Sequence, residues 1–543
     1  MRHQGERYFG TVIILFVTLN ILVFSVMIMT SADDLKVQYI PDDAFYYLTL
    51  SRNFSSFGLW TFDSGISVTS GFHPLFAYLL SSAYSLLPLD TNSFLIYGII
   101  LSLFFVLASI AVLCFWGFEY NNVLFLMLLA LVISNRNFVY NTISVTEWSL
   151  TVLISSLYGV CYCTKYRNPV VPFGDFLVLF VLGLLGSVAR LDFALFPFSI
   201  FLGAFVLSFV FKSYSRRKRS FAFVGLLGAL TGLLVVFLHN YVLMSVVLPS
   251  SAKMKAYWAQ LGVTSYYAVP LLITLIIGFT GLLLLAILIT IAISFRFVEK
   301  RASCSNANHY IDPSCSRRFS AEARKTLSPQ NRYDLLFILI STGACIFGYV
   351  LFYSRNADIM PWYTVNLIVP VLMLLFAISN YIAASLCQKI IYLFFLLFGA
   401  VLIFNISNLY PISTAKSPWP HQKFMYDAGV YLQENFPDCH IGAWNAGIIG
   451  YYQGGRVVNL DGLVNNDIYV YAVDNDLPAY IYSRDICYIL DFEPMLTTES
   501  LRVRGGYDDP DFLASLEPVR VFDEGEYHTW RYLTLYVIVD AQN

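Results

Sequence analysis

Apolar residues run in long unbroken blocks from near Gly10 to near Tyr410, each closed by a short polar stretch. Blocks of roughly 17–25 residues match the hydrocarbon thickness as helices, because backbone groups in lipid must hydrogen-bond within their own segment. Eleven are present, near 9–30, 93–116, 121–138, 147–164, 174–190, 191–211, 221–243, 266–295, 335–353, 363–384 and 389–410. The run at 73–88, "HPLFAYLLSSAYSLLP", is shorter and ends on proline, which predicts a re-entrant or interfacial helix. Past Pro411 the pattern changes to short alternating elements over about 130 residues, the size of one domain. Helix "KFMYDAGVYLQENF", strand "CHIGAW", helix "NAGIIGYYQ", strand "RVVNL" and strand "DICYILDF" predict a small α/β sheet. The expected fold class is thus a polytopic α-helical membrane protein over 1–410, followed by an α/β domain at 411–543. Within the first part, 31–92 forms an external loop with interfacial helices, and 296–334 is a polar, serine-rich inner loop.

Composition agrees with a membrane protein: 58% of the 543 residues are hydrophobic and only 13% charged, too apolar for a soluble core. The first block, "GTVIILFVTLNILVFSVMIMT", is too long for a signal-peptide core and has no small-residue cleavage site, so it reads as a retained span. A formal charge of -2, with no basic tract beyond "RRKR", excludes a nucleic-acid partner and leaves lipids, sugars or peptides. Nine cysteines lack CxxC or Cys/His spacing, so no metal site is read from them. Cys439 and Cys487 fall in the C-terminal domain and could pair if it faces an oxidising compartment. "GIIGYYQGG" lacks the spacing of a nucleotide-binding fingerprint.

Lysine and arginine accumulate in cytoplasmic loops. With eleven spans and the N-terminus in the cytoplasm, eighteen of them lie in inner segments and seven in outer loops. The expected location is the cytoplasmic membrane, multi-pass, with the C-terminal domain extracytoplasmic. Every polar cluster then shares the outer face: Asp42 and Asp43, Glu147, Arg190 and Asp192, Lys253 and Lys255, and Arg355. Five loops presenting opposite charges to one leaflet predict a site.

The stretch "PDDAFYYLTLSRNF" heads that site. A carboxylate after proline and before a helical pattern caps the helix, but one suffices, and spacing does not say which of Asp42 and Asp43 it is. The helix Ala44–Phe57 carries Tyr47, Leu50, Phe54 and Phe57 at helical spacing, a stripe suited to the bilayer surface. The remaining carboxylate, held beside apolar surface, would have a raised pKa, as a general base does. Glu147 and Asp192 can serve a substrate or pair with Arg136 or Arg190, and Lys255 can hold a phosphate or snorkel. His73, before Pro74, reads as a turn hydrogen-bonder or a phosphate contact. Trp362 and Tyr363, near Arg355, suit an interfacial belt or a stacking platform for sugar or lipid. In "NLDGLVNN", Asp461 and Asn465 read as turn formers before glycan ligands.

"DDAFYYLTLSRNFSSFGLWTFDSGISVTSGFHPLF", Asp42 to Phe76, resembles the first external loop of bacterial GT-C glycosyltransferases, integral-membrane enzymes that use polyprenyl-phosphate sugars. "SVTEWSL" keeps the glutamate of that family's Gly-Met-Glu-Thr segment. "ARLDFALFP" is similar to its Arg-x-Asp/Glu segment, and "LPSSAKMK" to its Pro-x-Ser-Gly-x-x-Lys loop, which favours Lys255 over Lys253. "VVNLDGLVNND" resembles a motif frequent in the subgroup. The resemblance implies a GT-C fold, a polyprenyl-phosphate sugar donor, a glycan, lipid or protein acceptor, and inverting transfer with an aspartate of the first external loop as base. Asp42 is the expected base, with Asp43 capping or holding a cation, and Arg190, Lys255 and His73 are expected on the donor phosphate. Glu147, Asp192, Arg355, Trp362 and Tyr363 are expected on the substrates. No cofactor is required, and a divalent cation, Mg or Mn, is optional. The competing readings are a transporter or flippase of lipid-linked sugars and a non-catalytic envelope-assembly protein. A transporter places charge near the bilayer midplane in repeated halves, whereas here charges flank the spans.

Overall fold

The computed structural model describes residues 2–87, 89–166, 171–210, 216–262, 329–354, 360–383, 388–522, 530 and 532–539. The expected span 266–295, residues 296–328 of the inner loop, and Arg355 lie outside the described residues. The last part of that loop is already helical, since the next helix runs Pro329–Tyr353.

Most of the apolar blocks are helices, among them Arg2–Met29, Thr91–Glu119, Trp148–Tyr166, Arg216–Met244 and Val365–Ala383. Among the described residues six are long and apolar enough to cross a bilayer, or up to seven if one bent pair is a single span. That suffices for a multi-pass membrane protein. The bent pair corrects the expected span 121–138, which consists of two helices, Val123–Ser134 and Arg136–Thr142, meeting at 70°. Asn135 takes an extended backbone there, and its side chain accepts from the Asn137 amide at 3.0 Å, capping the second helix. A run of Ser, Asn, Arg and Asn has too many polar groups to continue straight through hydrocarbon. The run at 73–88 forms the helix Pro74–Leu86, 13 residues long with Pro74 in its first turn.

The Asp42–Phe57 helix also departs from expectation. Its N-cap is Pro41, and neither aspartate caps it. Nor does its aromatic stripe lie open on a membrane surface: Tyr47 and Leu50 are buried. Tyr47 meets Phe76 edge-on at 5.5 Å, Phe54 stacks on Trp60 at 4.1 Å, and Phe45 packs on Tyr451 at 5.5 Å. The helix is wedged between the Pro74–Leu86 helix and the C-terminal domain, so both of its faces bury apolar area.

The C-terminal domain is a five-stranded sheet in the order β2-β1-β3-β5-β4. The strands β1 (Ile441–Ala443), β2 (Val457–Asn459) and β3 (Tyr488–Phe492) are those expected from sequence, and they pair in parallel, Ile441 opposite Val457 and Tyr488. The strands β4 (Leu516–Phe522) and β5 (Leu533–Ile538) were not expected and add an antiparallel edge. Pro518 and its register shift fit an edge strand, the one place where a missing ladder donor is tolerated. Cys439 and Cys487 are both free thiols.

The loops leaving the carboxyl ends of β1 and β2, where open α/β sheets carry their ligands, turn toward the Asp42–Phe57 helix. There Ala446 N and Asn459 Nδ2 both donate to the Tyr46 hydroxyl, at 3.3 and 3.4 Å. The apolar core is continuous across the junction, with Leu409, Phe424, Ile448 and Tyr451 in one cluster with Tyr39 and Phe45. The tightest approach is at Gly71, where a Cβ would overlap the carbonyl oxygen of Leu463. Gly71→Ala is expected to weaken this docking by about 1–3 kcal/mol, as overpacking a close contact does. Faster proteolytic release of the C-terminal domain from the purified variant would register it, and an unchanged digestion rate would refute it.

Candidate active site

Chain segments from many parts of the sequence converge where the bundle meets the C-terminal domain. Arg190, extended between the Phe173–Ala189 helix and the turn Leu191–Ala194, is the hub. Its Nε donates to Asp192 Oδ1 at 2.8 Å, its Nη1 to Glu147 Oε1, and its Nη2 to the Tyr353 hydroxyl at 3.1 Å. The Tyr353 hydroxyl in turn donates to Asp192 Oδ2 at 2.6 Å. The guanidinium lies 5.0 Å from the Tyr363 ring. Arg190, Glu147 and Asp192 are all buried, so a charge placed here needs its partners. Of the two readings kept open for Glu147 and Asp192, pairing with Arg190 is the one the geometry realises. His73 stands beside this group with Nε2 3.7 Å from Glu147, and its backbone amide donates to the Tyr47 hydroxyl at 3.2 Å. Burial lowers the His73 pKa and Glu147 opposes that shift.

Lys255 enters from the Ser250–Gln260 helix. Its ammonium donates to the Tyr363 hydroxyl and sits 4.4 Å from the centre of that ring. Burial pulls its pKa down to about 8, while Asp43 and Asp461 act in the opposite sense. Lys253, the other candidate lysine, lies 5.7 Å from the Tyr469 ring instead.

The two neighbouring aspartates have different surroundings. Asp42 Oδ1 accepts from the Ile448 amide at 2.7 Å and Oδ2 from the Gly447 amide at 3.3 Å. Asp42 therefore caps the Gly447–Gln453 helix of the C-terminal domain, not its own. Gly447 is required there, because a Cβ would come within 2.6 Å of Asp42 Oδ1. Burial raises the Asp42 carboxyl to about 7 despite these amides. Asp43 has Lys255 as its strongest cationic influence and Trp362 beside it. Burial also raises its pKa and Glu147 adds to the rise, with Lys255, Trp362 and Arg190 opposing.

The structure thus brings together Asp43, Glu147, Arg190, Asp192, Lys255, His73, Trp362 and Tyr363, with Asp42 one residue away on amides. Sequence reasoning missed Tyr46, Tyr47 and Tyr353. The first two stand four residues after Asp42 and Asp43, the spacing that puts side chains on one helix face, which was an available signal. Tyr353 carried none. Asp461 keeps its turn role, accepting from Leu463 N at 2.6 Å, but also accepts from the Tyr46 hydroxyl at 3.3 Å. Among the described residues no three His, Cys, Asp or Glu side chains form a cation site. Glu147 and Asp192 are bonded to Arg190 and Asp42 to amides, so these carboxylates do not fit a divalent ion, and no step below is routed through one.

The fold is shared with solved structures. ArnT from Cupriavidus metallidurans bound to undecaprenyl phosphate superposes with a TM-score of 0.52 at 12% identity, over 97% of this chain and 98% of that one. The same protein in the apo state gives 0.53 at 11% identity, over 96% and 98%. The oligosaccharyltransferase AglB from Archaeoglobus fulgidus, in complex with an inhibitory peptide and a dolichol-phosphate, gives 0.47 at 14% identity, over 99% of this chain and 75% of that one. The likeness to ArnT shows that this chain shares that protein's fold. Residues 417–536 match a family described as a domain of unknown function, DUF8728. No curated protein matches the chain.

Proposed function

We propose that this protein is an inverting glycosyltransferase that moves a sugar from a polyprenyl-phosphate carrier to a glycan, lipid or protein hydroxyl at the outer face of the cytoplasmic membrane. The observation that carries the reading is the separation of the acidic groups: Glu147 and Asp192 neutralise Arg190, Asp42 caps a helix, and Asp43 is bonded to neither Arg190 nor those amides, with Lys255 the cation that acts on it most strongly. The shared fold with ArnT, whose structure holds undecaprenyl phosphate, supports the carrier class.

In this reading Asp43 replaces Asp42 as the base. The acceptor O–H gives its proton to an Asp43 oxygen as the new O–C1 bond forms on the face opposite the phosphate. The C1–O bond to phosphate breaks, and its electron pair stays on the lipid phosphate. An acceptor hydroxyl is far too weak an acid to attack unaided at neutral pH, so a positioned carboxylate is needed. Lys255 meets the charge growing on the phosphate, with His73 beside it as a hydrogen-bond partner. Arg190 has its donors committed within the protein and contributes its charge and the shape of the wall. Trp362 and Tyr363 orient Asp43 and Lys255 respectively. A Lys255→Met variant is expected to lose about 10²–10³-fold in rate, as when a preorganised donor is removed from a developing anion.

The pH dependence follows in sign. Asp43 must be deprotonated, and its pKa is raised above the ordinary carboxylate range, so activity falls as pH drops through that raised value. Lys255 must be protonated, so activity falls as pH rises through about 8. The expected kcat/KM profile with a short-chain polyprenyl-phosphate sugar is a bell whose alkaline limb lies near 8 and disappears in Lys255→Arg. A profile flat to pH 10 would remove Lys255 from the mechanism. A panel of such donors with the purified protein tests the reaction class, and no transfer with any of them would favour a transporter or scaffold.

A further inference from the structure

The reading above leaves one acidic group of the C-terminal domain unused. Asp461 follows β2 in the turn "NLDGLVNN", and that turn touches the Lys255 helix, the first external loop and the helix that carries Asp43. The Leu463 carbonyl accepts from Ser250 at the head of the Lys255 helix, at 2.9 Å. Asn466 accepts from the Ser70 amide at 2.9 Å and hydroxyl at 3.0 Å in the first external loop. Asp461 Oδ2 reaches the Tyr46 hydroxyl on the helix that carries Asp43. Gly462 at φ +74 lets the turn press on Met254, one residue before Lys255.

We infer that Asp461 is a positioning residue of this reaction, holding the Asp43 helix through Tyr46 and standing as the second carboxylate that acts on the Lys255 ammonium. The inference rests on the glycosyltransferase reading and assigns to the C-terminal domain a part in the chemistry. Asp461 is buried, so its charge acts through little solvent. Lys255 touches Tyr363 of the bundle, and the charges that act on it are those of Asp43 from the Asp42–Phe57 helix, Asp461 and Arg504 from the C-terminal domain, and Arg190 from the bundle. The two carboxylates keep the lysine cationic, whereas Arg190 and Arg504 oppose it. Losing one of the two carboxylates that act most strongly on it makes the lysine a stronger acid, so the cation that meets the phosphate disappears at lower pH. Asp461 itself is pushed up to about 8 by burial, opposed by the Leu463 amide. Its influence on Lys255 is therefore greatest on the alkaline side.

The test measures binding of a short-chain polyprenyl phosphate between pH 6 and 9 to the full-length protein, alongside kcat and KM for transfer. In Asp461→Asn, a near-isosteric change, the alkaline loss of phosphate binding is expected to move toward lower pH by about one pH unit, with binding at pH 6 retained. Tyr46→Phe cuts the link to the Asp43 helix and leaves the carboxylate in place, so it is expected to lower kcat without moving that limb. Equal pH profiles for wild type and Asp461→Asn would overturn the inference while leaving the reaction class standing. A thermal transition in Asp461→Asn far below that of Tyr46→Phe, with no shift of the limb, would reduce Asp461 to a structural turn residue. Failure of wild-type protein to bind the lipid phosphate at any pH would overturn the glycosyltransferase reading and this inference with it.

Discussion

Asp43→Asn is expected to lower kcat by about 10²–10⁴-fold, the range over which a positioned general base contributes, with the folded protein intact. The amide keeps the shape of the carboxylate, but it cannot take a proton from an incoming hydroxyl. KM for the donor is expected to change little, because the phosphate is held elsewhere, at Lys255. The paired control is Asp42→Asn. Its oxygen can still accept from one of the Ile448 and Gly447 amides, so the expected effect is on stability, about 1 kcal/mol as for a weakened helix cap, and only weakly on kcat. Turnover with a short-chain donor, set against the melting temperature of each variant, separates the two roles. Abolished turnover in Asp42→Asn with activity retained in Asp43→Asn would reverse the assignment and restore Asp42 as the base.

Arg190→Met is expected to destabilise the protein by about 3–5 kcal/mol, the penalty for breaking a buried ion pair from one side. Methionine fills similar volume along the stem, so a cavity contributes little. The damage arises because Glu147 and Asp192 remain buried without a counter-charge and the Tyr353 hydroxyl loses one of its partners. The diagnostic experiment adds Glu147→Gln and Asp192→Asn to the same chain. Neutralising the two carboxylates is expected to recover most of the lost thermal stability without recovering full activity. A triple variant as unstable as the single one would mean that Arg190 is held by packing and not by charge.

These expectations show which parts of the site were legible in the sequence. The double aspartate, Glu147, Arg190, Asp192 and Lys255 stood out because ionisable residues at the ends of apolar runs are expensive and need a reason. Glu147, Arg190 and Asp192 meet directly, and Lys255 and Arg190 both lie against the Tyr363 ring. What the run of letters could not reveal was the division of labour among them. Asp42 and Asp43 are chemically identical neighbours, and a helix turns about 100° per residue, so they point to different surroundings. One meets amides more than four hundred residues away in the chain, and the other comes under the charge of a lysine more than two hundred residues away. Trp362 and Tyr363 satisfied the pattern of an interfacial belt, yet Tyr363 hydrogen-bonds Lys255 and Trp362 stands beside Asp43. Tyr47 read as part of an apolar stripe, and it and Tyr46 place their hydroxyls among carboxylates.

The membrane part illustrates the same limit on a larger scale. Length and hydropathy identified helices correctly where a block was uniformly apolar. They failed at 121–138, where one asparagine with a satisfied side chain ends a helix inside an apolar block. They also failed at β4, whose exposed edge residues carry little apolar signal, and at β5, a six-residue run that length alone did not set apart.

Sequence by itself determined that this chain builds a helical bundle in a bilayer, a small α/β domain after it, and a collection of charged groups at the boundary, because hydrocarbon demands internal backbone bonding and penalises every stray charge. Only the tertiary structure decided that Arg190 consumes two of the acids, that a helix start in the C-terminal domain holds Asp42, and that Asp43 is left with Lys255 as the cation acting on it most strongly. Those outcomes depend on distances between segments hundreds of residues apart, and Coulomb and hydrogen-bond energies vary with such distances far more steeply than any local pattern of residues records.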